Sequence, residues 1–284
     1  MVQLMSEMMF EGNKMVTKLY HARKSYFSLI PRLKRLYSSI ATTSHMRWHS
    51  ENERDPTFLC HLSNGEAWKH FDILHSKFSK DPRNVRLELC ADGFYPFGQY
   101  KKSYSCWPII LTPCNLLLGM CIKREFMFLT VLIPGPSNPK HKIDVYLQPL
   151  IDELCTLWND GILTYDVSLR QNFMMKAALM WTINDFPAYG MLSGWTTARR
   201  LGCPICMERT KAFTLKHSYK VSYFDYHCQF LPHDHPYRRN KNSFKKTCVE
   251  TSRPPFQSSS PIIWKRVTDL PFSYELQEQE EEIP

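Results

Sequence analysis

Two aspartates, Asp92 and Asp185, each follow directly on a strand-like segment and stand immediately before a turn. The first segment, residues 85–91, alternates apolar and polar side chains with the period of a strand, and Gly93 follows the aspartate. The second, residues 177–183, is apolar almost throughout and predicts a buried strand, since it is short for a helix. Adjacent strands of one sheet would bring the two carboxylates together, although 93 residues separate them.

Between these two segments the sequence predicts two more strands and a helix. Residues 107–111 and 126–133 have strand composition, and the second run is nearly all apolar, which predicts a central strand. Apolar residues then recur at helical spacing over 147–158, with Pro149 expected in or near the first turn. Three strands before a helix indicate an antiparallel meander, which the strand over 177–183 joins in parallel by a right-handed crossover. We therefore predict an α/β protein with a mixed sheet, the opening half of a ribonuclease-H-like fold.

Two carboxylates from distant parts of a chain suit a Mg²⁺-dependent phosphoryl-transfer site. In such a site two Mg²⁺ ions about 4 Å apart activate the attacking oxygen and stabilise the leaving oxygen. Because Mg²⁺ prefers hard oxygen ligands, Asp92 and Asp185 are the candidate catalytic acids. Each has a structural alternative. An aspartate before glycine is commonly a turn residue, and Asp185 could cap a helix over residues 188–192.

A second candidate centre lies at Cys203 and Cys206, in the sequence Gly-Cys-Pro-Ile-Cys. This turn lets two thiolates point at one ion, which favours zinc. Zinc needs two further ligands, and His227 and His235 are the first choice among the histidines that follow. A redox pair or two structural cysteines are the alternatives. Ten cysteines in 284 residues lack the density of a small secreted scaffold, which favours a reducing, intracellular compartment.

The net charge of +9 is concentrated in residues 199–246, where eleven Lys or Arg stand against three acids. Such a concentration suggests a phosphate backbone as partner, and a solvated basic surface is the alternative. Aromatic residues interleave with the basic ones over 223–239, where they could stack on bases or pack around the cysteine turn. The candidate nucleic-acid contacts are Arg199, Arg200, Arg238, Arg239 and Lys241.

Composition divides the chain into four segments. They are a helical N-terminal flank over 1–79, a truncated ribonuclease-H-like core over 80–200, a basic Cys/His segment over 201–246 and a disordered acidic tail over 247–284. Residues 1–14 lack the basic region and apolar core of a signal peptide. The longest apolar run, residues 126–133, is too short to span a bilayer, so no membrane partner is expected.

Several unusual strings of the sequence resemble the plant CACTA (En/Spm-like) transposases. Two of them contain the aspartates: Asp92-Gly-Phe-Tyr-Pro-Phe-Gly98 and Met180-Trp-Thr-Ile-Asn-Asp-Phe-Pro-Ala-Tyr-Gly190. The others are residues 31–37, 46–49, 81–87, 132–136, 143–154, 192–195 and 230–232. Together they run from about residue 30 to about residue 245, so the resemblance covers most of the chain.

The resemblance implies cut-and-paste DNA transposition at terminal inverted repeats by a ribonuclease-H-like DDE/D nuclease, with a nuclear address. Asp92 would be the first catalytic acid, Asp185 the second, and Cys203 with Cys206 the family's zinc pair. The family's third acid, a glutamate on a late helix, has no counterpart here, so we expect a truncated or decayed, inactive copy. Two alternatives remain: a non-enzymatic nucleic-acid-binding or interaction module built on the basic Cys/His segment, and a product that does not fold stably. A homo-oligomer is left open.

Overall fold

The computed structural model describes residues 25–51, 59–96, 104–197, 199–203, 206–223, 228–242, 249–254, 262 and 265. The chain divides into two compact units, Met1–Ala188 and Tyr189–Pro284. We call them the first and the second unit and describe each by itself. The four-segment division expected from composition stays a prediction.

In the described part of the first unit a run of helices precedes the first strand, and the later helices and strands are interleaved; short elements follow in the second unit. The α-helices are α1 (Ile30–Ser38), α2 (Ile40–Thr43), α3 (Trp48–Glu51), α4 (Glu66–Leu74), α5 (Ser76–Ser79), α6 (Leu118–Cys121), α7 (Ile143–Asn159) and α8 (Phe186–Ser193). The strands are β1 (Val85–Ala91), β2 (Trp107–Pro113), β3 (Phe128–Ile133), β4 (Ile162–Asp166), β5 (Gln171–Met175), β6 (Ala177–Asn184), β7 (Phe213–Thr214) and β8 (Val221–Ser222).

Four strands of the first unit form one mixed sheet in the order β3-β2-β1-β6. Strand β1 pairs antiparallel with β2, and β2 pairs antiparallel with β3, which is the predicted meander. After α7 the chain returns to the sheet as β6, which pairs in parallel with β1. The predicted α/β class and mixed sheet are confirmed.

Strand β3 lies at the edge of this sheet, so the prediction of a central strand was wrong. A segment near residue 26 covers its outer side. The Phe27 N–H donates to the Thr130 carbonyl at 2.7 Å, and the Leu132 N–H donates to the Ser25 carbonyl at 2.9 Å. This pairing supplies partners for backbone groups of a strand that is buried along most of its length. The long apolar run therefore indicates a buried strand and does not indicate a strand at the centre of the sheet.

Helix α7 packs on the sheet, where it contacts β3 and β6. Its buried face consists of Ile143, Tyr146, Leu147, Leu150 and Leu157. The helix begins one turn earlier than predicted, so Pro149 lies in its interior and not in its first turn. Proline lacks the N–H that would bond to the carbonyl of Val145, yet the helix continues. We attribute this to the buried face, whose packing offsets the lost hydrogen bond.

The hairpin of β4 and β5, between α7 and β6, was not predicted from the sequence. Its inward residues include Thr164 and Asp166, and these polar side chains interrupt the apolar alternation. Asp166 is fully buried and accepts hydrogen bonds from the Thr43 hydroxyl and the Ser168 N–H, both at 2.9 Å. The Arg47 guanidinium lies 3.1 Å from its other carboxylate oxygen. The hairpin is therefore fixed by a buried charge that periodicity does not reveal.

The second unit has little regular structure among its described residues. Strands β7 and β8 pair over two residues each, and short 3₁₀ turns cover Met207–Arg209 and Pro236–Arg239. Arg238 is buried and donates hydrogen bonds to the main-chain carbonyls of Gln229 and Leu231. In neither unit do the described residues contain a helix long and apolar enough to cross a membrane.

Candidate functional site

The register of β1 and β6 brings the two predicted acids to adjacent positions. Ala91 and Asn184 are partners at the carboxyl ends of this parallel pair, and the next residue of each strand is Asp92 and Asp185. Neighbouring strands lie about 4.8 Å apart, so the two backbones are close at this edge. Because side chains alternate along a strand, both aspartates continue the sheet face opposite to that of Ala91 and Asn184.

Both carboxylates are exposed, and each engages one oxygen in a local backbone hydrogen bond. Oδ1 of Asp92 accepts the Gly93 N–H at 2.7 Å. Oδ1 of Asp185 accepts the Ala188 N–H at 2.8 Å, which is a helix-capping contact at the start of α8. Both structural alternatives are therefore realised. Among the described residues no group donates a hydrogen bond to Oδ2 of either aspartate, so each offers one oxygen to a ligand.

The turn after Asp92 is fixed by close packing on Trp107. A Cβ atom at Gly93 would lie 2.6 Å from Cζ2 of the buried Trp107 ring. Only glycine lets the backbone approach so closely. Backbone hydrogen bonds of 2.9 Å in both directions between Phe94 and Cys106 continue this contact. The side chain of Asp92 therefore projects from a constrained backbone.

Glu88 and Cys90 precede Asp92 on the same face of β1. Burial raises the pKa of the Glu88 carboxyl. Burial, followed by the charges of Asp92 and Glu88, also raises the pKa of the Cys90 thiol. Glu88 lies four residues before Asp92, roughly 13 Å along an extended strand, which is too far to share an ion with it. In the part of the chain that the structure describes, no three His, Cys, Asp or Glu side chains are grouped to hold a metal ion.

Asn184 also belongs to this edge of the sheet, and sequence reasoning missed it. Its Oδ1 accepts the Ala91 N–H at 3.0 Å, so its side chain reaches from β6 to the last residue of β1. The signal available in the sequence was an amide directly before Asp185. The identity of its partner depends on the register of two strands that are far apart in the chain.

Cys203 and Cys206 form a compact turn in the second unit. The Cys206 N–H donates to the Cys203 sulfur at 3.3 Å, and the Met207 N–H donates to the Cys203 carbonyl at 2.7 Å. Burial and the neighbouring Cys203 raise the pKa of the Cys206 thiol to about 11. Both thiols are free.

Of the two further zinc ligands that were expected, the structure describes only His235, so the ligand set stays a prediction. His227 lies outside the described residues. His235 does not form a metal-holding group of three with Cys203 and Cys206, as judged over the described residues. Its Nδ1 instead accepts the Tyr237 N–H at 3.2 Å, and the centroids of the two rings lie 5.2 Å apart. This contact is the local partner of His235 in the described structure.

Four of the five candidate nucleic-acid contacts are exposed: Arg199, Arg200, Arg239 and Lys241. Arg200 also donates to the Ala212 carbonyl at 3.2 Å. Arg238 differs from them, because it is buried and its guanidinium donates to the carbonyls of Gln229 and Leu231 at 2.6 and 3.0 Å. A buried guanidinium with these partners is not available to a phosphate. The expectation that Arg238 contacts nucleic acid was therefore wrong, and the four exposed residues remain the candidates.

The fold and the aspartate edge define an α/β protein with an acidic pair at the carboxyl ends of two parallel strands. Residues 56–270 match the family model described as transposase family tnp2, and this match covers most of the chain. The chain therefore belongs to this transposase family. No curated protein and no solved structure matches it.

Proposed function

We propose that this chain carries the acid pair of a DDE/D transposase nuclease of the CACTA (En/Spm-like) type, on part of a ribonuclease-H-like sheet. The register of β1 with β6 is the observation that carries the proposal, because it aligns Asp92 with Asp185. Membership of a transposase family supports the reaction class. The substrate would be DNA at the terminal inverted repeats of a transposon.

Asp92 and Asp185 fit Mg²⁺, because both offer exposed carboxylate oxygens and neither is paired with a basic side chain in the described structure. Bound Mg²⁺ would activate the attacking hydroxyl and stabilise the leaving oxygen of the phosphodiester. Asp92 and Asp185 would supply the ligand oxygens for the ion. The Gly93 and Ala188 N–H groups orient the two carboxylates.

We further propose that the two aspartates bind a divalent ion without supporting turnover. Two carboxylates leave most of an octahedral shell to water. The described residues contribute no third acid to this edge. Residues that act as one catalytic unit show strongly non-additive losses, so a missing ligand should nearly abolish cleavage.

Titration of the full chain with Mn²⁺ as a Mg²⁺ substitute tests this function. We expect one saturable ion, with affinity reduced at least about 10-fold in Asp92→Asn and in Asp185→Asn. Asp160→Asn, at an exposed acid beyond the end of α7, is the matched control and should bind as the parent does. Equal affinity in all four proteins would reject the acid pair. If the parent nicks terminal-repeat DNA and Asp92→Asn does not, the proposed inactivity is rejected and the proposed acid pair is retained.

A second candidate function is a nucleic-acid-binding module built on the second unit, with a nuclear location. The cysteine turn with its N–H···S contact and the exposed Arg199, Arg239 and Lys241 favour it. Zinc would hold the turn through Cys203 and Cys206, and the other ligands stay undetermined.

Zinc titration with a proton-release readout tests the module. Because the Cys206 pKa is raised to about 11, its thiol is protonated at pH 7 before zinc binds, so binding must release protons. Affinity should therefore rise with pH, and Cys203→Ser should abolish stoichiometric zinc. Cys155→Ser, at an exposed cysteine of α7, is the control. Retention of zinc by Cys203→Ser would exclude the pair as ligands.

A further inference from the structure

Two asparagine side chains bracket the parallel pair of β1 and β6. At the amino ends of the strands, Oδ1 of Asn84 accepts the Lys176 N–H at 2.9 Å. At the carboxyl ends, Oδ1 of Asn184 accepts the Ala91 N–H at 3.0 Å. Each side chain therefore reaches from one strand to the backbone of the other, and the two contacts stand at opposite ends of the ladder.

The asparagine at the amino ends belongs to the core. Asn84 is buried, and its Nδ2 also donates to the Phe78 carbonyl at 2.7 Å, which ties the strands to α5. The Val85 N–H bonds to the Lys176 carbonyl at 2.8 Å beside it. Several contacts thus fix this end of the ladder. Asn184 is half-exposed and lies next to Asp185, across from the residue that precedes Asp92.

A register shift separates the two ends. Leu87 pairs with Leu179 but Glu88 pairs with Trp181, so Met180 is an extra residue on β6. Such a bulge disrupts the ladder locally and bends the strand that carries it. The contacts around Asn84 therefore do not by themselves set the alignment of the carboxyl ends. Beyond the bulge four residue pairs rebuild the ladder, from Glu88 with Trp181 to Ala91 with Asn184, and the Asn184 side chain adds a contact at the last pair, directly before Asp92 and Asp185.

We propose that Asn184 is a positioning residue for the aspartate pair. Its amide oxygen holds the last N–H of β1 against β6 and so sets the separation of Asp92 and Asp185. The two aspartates repel each other when no cation lies between them. A neutral acceptor secures the strand ends without adding a third negative charge. This role rests on the proposed acid pair only for its functional consequence, since the contact itself is independent of any ion.

A disulfide between positions 92 and 185 measures the alignment without a metal. The full chain carries Asp92→Cys, Asp185→Cys and, in every variant, Cys90→Ser. Oxidised glutathione at a fixed concentration is the oxidant, and peptide mapping identifies the new disulfide. Disulfides require Cα atoms about 4.4–6.8 Å apart, which neighbouring strand positions satisfy. We expect Asn184→Ala to slow its formation roughly 10-fold, because small displacements strongly reduce the rate of a reaction between positioned groups. Asn184→Asp, which keeps an oxygen acceptor, should restore the rate.

Asn84→Ala is the matched control, since it removes the equivalent bond at the other end of the same strands. It should lower stability and leave the disulfide rate within about twofold, because position 84 is roughly 25 Å of strand away from position 92. If Asn184→Ala fails to fold, Asn184→Ser replaces it, because the serine hydroxyl is too short to reach Ala91. An unchanged disulfide rate in the folded Asn184 variant, or an equal loss in Asn84→Ala, would overturn the positioning role.

Mn²⁺ affinity links this role to function. In the aspartate background, Asn184→Ala should weaken Mn²⁺ binding about 10-fold, the loss typical of an outer-shell contact, and Asn84→Ala should not. If the parent binds no Mn²⁺ but the disulfide rates differ as expected, the proposed acid-pair function fails and the positioning contact stands. If Mn²⁺ binds equally to parent and Asn184→Ala, the functional part of the inference is rejected.

Discussion

Among the described residues each unit buries one arginine, Arg86 in the first and Arg238 in the second, but the two charges are satisfied in different ways. In the first unit the Arg86 guanidinium pairs with the Asp72 carboxylate and lies 4.4 Å from the ring centre of Trp68 and 5.3 Å from that of Phe78. In the second unit the Arg238 guanidinium donates to main-chain carbonyls, including that of Gln229 at 2.6 Å.

The difference follows from how each unit satisfies its backbone. In the first unit the sheet pairs the main chain, and the buried cation contacts mostly side chains: a carboxylate, a histidine and aromatic faces, with one long bond of 3.5 Å to the Asn84 carbonyl. Apart from the end of α8, the described part of the second unit has only two-residue strands and short turns, so many of its carbonyls lie outside helices and strands. Arg238 supplies several donors from one side chain to those carbonyls. A basic residue in the second unit can therefore be an internal scaffold and not a ligand contact.

Replacement of Arg86 should give the largest loss of stability. Arg86→Ala removes the ion pair and leaves a cavity among three aromatic rings, so the free energy of unfolding should fall by about 3–5 kcal/mol. Arg86→Met should lose much less, because a buried ion pair can be replaced by a hydrophobic side chain of similar volume at little cost. Urea unfolding followed by tryptophan fluorescence measures both.

An exposed ion pair of the same unit is the control for Arg86. Lys69 and Glu66 are 2.7 Å apart on α4, and both side chains are largely exposed. Lys69→Ala should change the free energy of unfolding by less than about 0.5 kcal/mol. If Arg86→Met is as destabilised as Arg86→Ala, the guanidinium itself and not the volume it fills stabilises the first unit.

Adjacent arginines in the second unit should separate folding from DNA binding. Arg238→Ala leaves buried carbonyls without donors and should lower the free energy of unfolding by about 3 kcal/mol. Arg239→Ala, at an exposed position, should leave stability within about 0.5 kcal/mol. It should instead weaken retention on DNA and reduce the slope of log affinity against log salt by about 1.

Melting curves and DNA-cellulose elution at several salt concentrations distinguish the pair. Arg238→Ala with parental stability and weakened DNA retention would show that its guanidinium reaches phosphate, and the contrast between the units would fail. A loss of stability in Arg239→Ala would also contradict this contrast, because an exposed arginine of the second unit would then support the fold.

In the first unit the sequence predicted what depends on local pattern and chain order. Alternation over 85–91 and the short apolar run at 177–183 identified the two strands, and the order of elements identified their parallel pairing. The bulge at Met180 and the contact of Asn184 with Ala91 could not be predicted. Both depend on the register between strands far apart in the chain, which no local pattern contains.

In the second unit the cysteine turn was predictable because its residues are neighbours in sequence. The spacing of Cys203 and Cys206 defines a single turn, and the structure shows its internal hydrogen bonds. Arg238 could not be separated from Arg239 by composition, since both belong to the same basic segment. Only the packed chain reveals which of the two is surrounded by carbonyls.

Replacement of Asp166 should lower the free energy of unfolding by a smaller amount that depends on pH. Its contacts also show that the contrast between the units is not absolute. Burial alone would raise the pKa of this carboxyl, but hydrogen bonds from Ser168, Leu169 and Thr43 outweigh it and lower the pKa. A folded-state pKa below the unfolded value adds stability at neutral pH, and this stability is lost as pH falls through the folded-state pKa. Here the first unit satisfies a buried anion partly with backbone N–H groups, much as the second unit satisfies Arg238 with backbone carbonyls.

Asp166→Asn keeps the shape of the side chain and removes its charge, so it should lower the free energy of unfolding by about 2 kcal/mol at pH 7. The difference from the parent should shrink below about pH 4, where the unfolded carboxyl begins to be protonated. Asp160→Asn, at an exposed acid close by in the chain, should show no such difference. Urea unfolding between pH 3 and pH 7 provides the measurement. A deficit that stays constant across this range would assign the stabilisation to packing, because a charge that contributes through its lowered pKa must lose that contribution on protonation.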